Sequence, residues 1–137
     1  MPVIVEPRYD VADLEADLAH VYADFPGRTP QQCLTTIRDA LRAGGVFYAA
    51  AFNGRQVAGA LVSGPTDARR IALVAVRAVT RNRGVGLRLI DEISRLEKLT
   101  GGRELVITAT PDAVAALTAL GFTASSAGDL RKPLQAG

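Results

Sequence analysis

The chain has 137 residues, 48% of them hydrophobic and 22% charged, with a formal net charge of +2. That length suits one domain around one core, neither fraction fits disorder, a fibre or a membrane protein, and so small an excess of base argues against a nucleic-acid binder. The single Cys33 excludes an intrachain disulfide framework. No apolar run reaches the roughly 18–20 residues of a membrane span, and the N-terminus lacks a signal-peptide pattern, so a reducing cytoplasm is the expected location.

In chain order, Val3 to Val5 reads as a first strand, and Asp10 stands at an N-cap ahead of Val11, Leu14, Leu18 and Val21, which share one helical face. After the break at Phe25-Pro26-Gly27, the run Thr29-Pro30-Gln31-Gln32 combines a Thr cap, Pro at the first helical position and Gln at the third. The helix it opens carries Leu34, Ile37 and Leu41 and stops at Gly44-Gly45. Val46 to Phe52 and Gln56 to Ser63 read as a hairpin joined at Asn53-Gly54, a pair that accepts the positive φ angles of a tight turn. Gly64-Pro65-Thr66-Asp67 turns the chain again, and Ile71 to Val79, nearly all β-branched or small, is expected to be a central strand covered on both faces. Gly84 and Gly86 open a long helix with Val85, Leu89, Ile93 and Leu96 inward and Arg88, Glu92 and Arg95 outward, ending at Gly101-Gly102. Leu105 to Thr108 is a short buried strand. Thr110-Pro111-Asp112 caps a helix with Val114, Leu117 and Leu120, and Phe122 to Ala124 leads into a last strand. The expectation is a single α/β (α+β) domain over residues 1–137, a mixed central sheet flanked by helices in the order β-α-α-β-β-β-α-β-α-β, without repeats.

The segment with a chemical signature is Arg81-Asn82-Arg83-Gly84-Val85-Gly86. A strand running straight into a glycine turn and then an amphipathic helix presents successive N–H groups at a helix start, where the helix dipole favours negative charge. Glycine at 84 and 86 removes the Cβ atoms that would hold phosphates away, and Arg81, Arg83 and Arg88 add charge at the rim. A plain strand-to-helix turn with solvated arginines would satisfy the same pattern. The spacing is not that of the dinucleotide fingerprint, because no third glycine follows at the required offset, nor that of a Walker loop, because Lys and Ser/Thr are missing after Gly86.

Arg81, Gly84 and Gly86 resemble the basic-x-x-Gly-x-Gly coenzyme A signature of the GCN5-related N-acetyltransferases (GNAT), and the element order is similar to theirs. The resemblance implies a mixed sheet whose two middle parallel strands splay apart. Acetyl-CoA or CoA would then be held by backbone groups of Val74, Ala75 and Val76 and by the turn Arg81, Asn82, Arg83, Gly84, Val85, Gly86 and Leu87. A second family mark is the helix end Leu120-Gly121-Phe122.

Acetyl transfer to an amine needs a base for the incoming ammonium and an acid near the departing thiolate. Many members of that family supply the acid from a Tyr five residues before the Phe of Leu-Gly-Phe, where this chain has Leu117, and Ile71 to Val79 holds no Asp, Glu or His. His20, Tyr48 and Cys33 are alternative chemical groups, each also read as ordinary packing or surface. Asp91 and Glu92 read as a solvated helix face. The catalytic residue, if there is one, is therefore unassigned.

Three stretches, Tyr48 to Asn53, Val76 to Gly86 and Ala119 to Thr123, resemble the PanZ/PanM maturation factors of aspartate 1-decarboxylase. That resemblance implies a CoA-dependent activator and regulator that docks on the decarboxylase proenzyme in pantothenate biosynthesis. The alternative is an N-acetyltransferase acting on a small amine or a protein amino group. The maturation factors carry an Arg in the partner-contacting strand just before Phe-Asn, where this chain has Ala51. Asn53 and Arg55 are the positions that carry over as partner contacts. No metal, nucleic acid or membrane enters this reading.

Overall fold

Residues 3–81 and 84–135 are described by a computed structural model of the chain. Its strands are β1 (Ile4–Arg8), β2 (Val46–Phe52), β3 (Arg55–Ser63), β4 (Arg69–Val76), β5 (Glu104–Ile107), β6 (Thr123–Ala124) and β7 (Leu130–Pro133). Its helices are α1 (Glu15–Val21), α2 (Pro30–Arg42), α3 (Val85–Leu99) and α4 (Pro111–Ala119), with short 3-10 turns at Ala12–Leu14 and Ala78–Thr80. The seven strands form one sheet in the order β1-β2-β3-β4-β5-β7-β6. Every pairing is antiparallel except β4 with β5, which is parallel.

Local chemistry explains most element boundaries. The Thr29 hydroxyl accepts from the Gln32 N–H at 3.1 Å while the Gln32 side chain accepts from the Thr29 N–H at 2.9 Å, closing a full capping box ahead of Pro30. The β2–β3 turn has φ of 52° at Asn53 and 77° at Gly54, the mirror-image geometry that matches the twist of the flanking strands. Asp10 accepts from the Ala12 N–H at 2.8 Å, so it stabilises a 3-10 turn ahead of α1 rather than capping the helix directly.

The sheet separates two cores. On one face Val46, Tyr48, Ala60, Val62 and Ile71 pack against Val85, Leu89, Ile90 and Ile93 of α3 and Leu117 of α4. On the other, Phe47, Ala49, Leu61 and Leu73 meet Leu18 and Val21 of α1 and Cys33, Leu34 and Ile37 of α2. Gly59 is the close-packing point of the second core, because a Cβ there would lie 2.2 Å from Cζ of the fully buried Phe47 ring. Gly59→Ala is therefore expected to displace that ring and cost about 1–3 kcal/mol, measured by urea denaturation.

Four expectations are corrected. The central strand begins at Arg69 and ends at Val76; Ala78–Thr80 is a 3-10 turn and Val79 is 70% exposed, so its β-branched character does not hold it in a sheet that has run out of partners. The C-terminal region forms two short strands, β6 and β7, joined through the turn at Ser125–Gly128. Val114 lies outside the α4 stripe and is exposed. The first strand also starts one residue later than expected and runs on to Arg8. No described helix is long and apolar enough to cross a membrane.

Candidate functional site

The site is built where β4 loses one of its neighbours. Its parallel pairing with β5 covers Arg69↔Leu105, Arg70↔Val106 and Ile71↔Ile107 and goes no further, whereas its antiparallel pairing with β3 continues to Val76. From Leu73 onward the β5 side of β4 is thus a backbone edge without a strand partner among the described residues.

A bulge decides which groups that edge offers. The β3 register steps from Leu61↔Ala72 to Gly59↔Ala75, so three residues of advance on β4 match two on β3, and Leu73 takes a φ of 51°. A positive φ at a leucine costs about 1–2 kcal/mol and needs support. Support comes from Tyr22 after α1, whose fully buried hydroxyl donates to the Leu73 carbonyl at 2.7 Å. Burial pushes the Tyr22 hydroxyl well above the ordinary tyrosine range, so it stays a donor across physiological pH. Tyr22→Phe leaves that carbonyl unsatisfied. A loss of about 1–3 kcal/mol is expected by chemical denaturation.

The Arg77 N–H donates to the Val57 carbonyl at 2.7 Å, across to β3. Because strand residues alternate sides, Ala75 also turns its N–H and C=O toward β3, while Val74 and Val76 present theirs to the open edge. The Val76 carbonyl accepts from Nε of Arg81 at 3.2 Å, consistent with that direction. Of the three backbone positions implied by resemblance, Val74 and Val76 therefore face the open edge and Ala75 faces β3.

Beyond the 3-10 turn, Gly84 takes a φ of 76° at the N-cap of α3, and no side chain among the described residues caps the helix. The N–H groups of Val85, Gly86 and Leu87 consequently have no acceptor from the helix itself and point along its axis toward the glycine turn. A Cβ at Gly84 would enter open space, and one at Gly86 would lie 3.3 Å from Cγ2 of Val76, which shows how closely the helix start sits against the end of β4. Asn82 and Arg83 lie outside the described residues. Arg81 is half exposed and spans between the Val76 carbonyl and a carboxylate oxygen of Asp24 at 3.2 Å, so its charge is held over the open edge.

The alternative chemical groups are elsewhere. His20 is exposed in the last turn of α1, and Cys33 is buried, with burial pushing its thiol up. Tyr48 donates to Glu97 at 2.5 Å at the far end of α3, and burial first, then that bond, raise its hydroxyl far above the usual range. Asp91 is exposed, and Glu92 is paired with Arg95 at 2.9 Å. Leu117 is 2% exposed within the core. The sequence reading did not single out Tyr22, Asp24 or Glu97. Tyr22 carried no local signal, because its partner is 51 residues away.

An extended, amide-bearing ligand with an anionic end fits this geometry: free strand groups for its arm, uncapped helix amides for its charge. The sequence profile described as "Acetyltransferase (GNAT) domain, PanZ" matches residues 7–129. No curated protein matches the chain. Among solved structures, the ribosomal-protein-S18-alanine N-acetyltransferase of Escherichia coli superposes with a TM-score of 0.74 at 15% identity, over 98% of this chain and 97% of that one. Tetrahymena GCN5 gives 0.70 at 16% identity over 90% and 88%. A GNAT-family acetyltransferase of Staphylococcus aureus gives 0.71 at 15% identity over 96% and 100%. At those identities the likeness is one of fold. Together with the profile match along most of the chain, it means that the chain belongs to the PanZ family of GNAT acetyltransferase domains.

Proposed function

We propose that the chain binds acetyl-CoA or CoA along the open edge of β4, and that it acts as a CoA-dependent activator and regulator of aspartate 1-decarboxylase proenzyme maturation. The observation that carries the cofactor half is the end of β4–β5 pairing at Ile71↔Ile107, which leaves Val74 and the Val76 N–H on an open edge ahead of the start of α3, uncapped among the described residues. In this reading Val74 and Val76 hydrogen-bond the pantetheine arm, and the amides of Val85, Gly86 and Leu87, with Arg81, hold the pyrophosphate. Asn82 and Arg83 complete that turn by their place in the motif. When bound, the thioester supplies an activated acetyl group.

The regulatory half is supported by what β4 and α4 lack. The strand runs Arg69-Arg70-Ile71-Ala72-Leu73-Val74-Ala75-Val76, with no carboxylate or imidazole, and the acid position is the buried Leu117. It is also supported by the location of Asn53 and Arg55. The pairing Ala58↔Val76 puts the β2–β3 turn at the same end of the sheet as the end of β4. A partner seated on the turn would sit beside the cofactor and sense it.

The test mixes purified protein, decarboxylase proenzyme and acetyl-CoA and follows chain cleavage. Acceleration that requires both the protein and the cofactor is expected, and cleavage at the unassisted rate would reject the regulatory role. Thiol release from acetyl-CoA across a panel of amines would instead establish an N-acetyltransferase.

A further inference from the structure

A cleft of about 430 Å³ opens on the α1 side of the sheet, between the edge strand β1 and the β2–β3 turn. Its floor is Ala49 and Ala51, and its walls include Glu6, Arg8, Asn53 and Gln56. The pairings Glu6↔Ala49, Ile4↔Ala51 and Ala51↔Gln56 place these side chains on one face across three adjacent strands.

Gln56 is the unusual member. It is only 9% exposed, and its Oε1 is buried without a hydrogen-bond partner. An orphaned buried acceptor costs about 1–3 kcal/mol, and the last torsion of a glutamine is soft enough to turn that oxygen into the cleft. What it lacks is a donor.

The charge around it is acidic. Arg8 is committed to both carboxylate oxygens of Asp13, at 2.6 and 2.7 Å, and so contributes no net charge. Glu6 is exposed and has no ion-pair partner among the described residues. Asp17 of α1 accepts the Gln56 backbone N–H at 3.0 Å and so fixes the strand at Gln56 from outside the cleft lining. The cleft therefore offers acceptors from opposite walls above a floor of small side chains.

We infer that this cleft receives an arginine side chain presented by a protein partner. A guanidinium carries five N–H donors in a planar fork and reaches acceptors on two sides at once, which the compact lysine ammonium does not do as well. Its apolar stem lies on Ala49 and Ala51, and its charge meets the Glu6 carboxylate and the Gln56 side-chain oxygen. The partner's identity rests on reading the β2–β3 turn as the docking surface proposed above; the preference of the cleft for a guanidinium does not.

The experiment titrates the full chain with N-acetyl-arginine methylamide and with N-acetyl-norleucine methylamide, following amide chemical shifts by NMR. Saturable shifts at Gly54 and at the side-chain amides of Asn53 and Gln56 are expected with the arginine compound alone. Glu6→Gln, an exposed change, and Ala51→Arg, which fills the cleft with a guanidinium of its own, are each expected to weaken that response at least tenfold. Equal responses to the two compounds, no saturable shift, or unchanged affinity in both variants would overturn the inference. Coenzyme A is added separately to the wild-type chain and read by melting temperature. If it fails to stabilise the fold while the arginine response persists, the cofactor reading falls and the cleft stands.

Discussion

Gly86→Glu is expected to weaken coenzyme A binding about 1,000-fold or more while leaving the free protein folded. A carboxylate in the first turn of α3 takes the helix amides for itself and faces the pyrophosphate across a few ångströms. Two unit charges of like sign 4 Å apart repel by about 4 kcal/mol at the effective dielectric of a protein surface. The same carboxylate suits the positive end of the helix dipole, and the Cβ it adds meets only Cγ2 of Val76 at 3.3 Å, so the fold has little reason to suffer. Melting temperature is the readout. At a coenzyme A concentration 1,000-fold above the dissociation constant, the wild-type chain gains about 4.1 kcal/mol, roughly 10–15 °C for this size, and the variant gains almost nothing. A variant that responds to coenzyme A like the wild type would remove the glycine turn from the site.

Glu97→Ala is expected to cost about 3–5 kcal/mol of stability, measured by chemical denaturation. Glu97 is 3% exposed near the C-terminal end of α3, where Oε2 accepts from the Tyr48 hydroxyl at 2.5 Å and Oε1 from Nε of Arg69 at 2.8 Å. Deleting the carboxylate leaves a mostly buried guanidinium and a buried hydroxyl without their acceptor. The desolvation they already bear is then uncompensated. Arg69 keeps one bond, to the Gly64 carbonyl at 2.5 Å, which limits the loss but does not replace the charge partner. Glu97→Gln retains an acceptor for Tyr48 and should cost less. Because Arg69 opens β4 and the open edge begins at Leu73, this network sits roughly 13 Å from that edge along the strand. The damage should therefore appear in stability ahead of cofactor affinity.

These two residues differ in the range of the signal that marks them. Gly86 is singled out by a local message, a glycine at the second position of a helix that follows a strand and a basic residue, although a plain strand-to-helix turn satisfies the same pattern. Glu97 carries no such message. It lies in an amphipathic helix among Glu92, Arg95 and Lys98, and only the packing of α3 across β2 and β4 turns it inward. Gln56 is similar: a polar residue two positions past a hairpin turn reads as surface until the bulge between Ala50 and Ala51 places it in the wall of the cleft.

By itself, the sequence determined whatever is decided within a few residues: the capping box at Thr29, the Asn53-Gly54 turn, the glycine start of α3 and the absence of a proton donor at Leu117. The tertiary structure alone decided the end of β4 at Val76, the bulge at Leu73 and its anchorage by Tyr22, the gap beside β5, and the buried pairing of Glu97. The physical reason is range. Caps and turns are settled by backbone angles and hydrogen bonds between near neighbours, whereas strand register, bulges and buried ion pairs exist only once segments distant in sequence pack against each other.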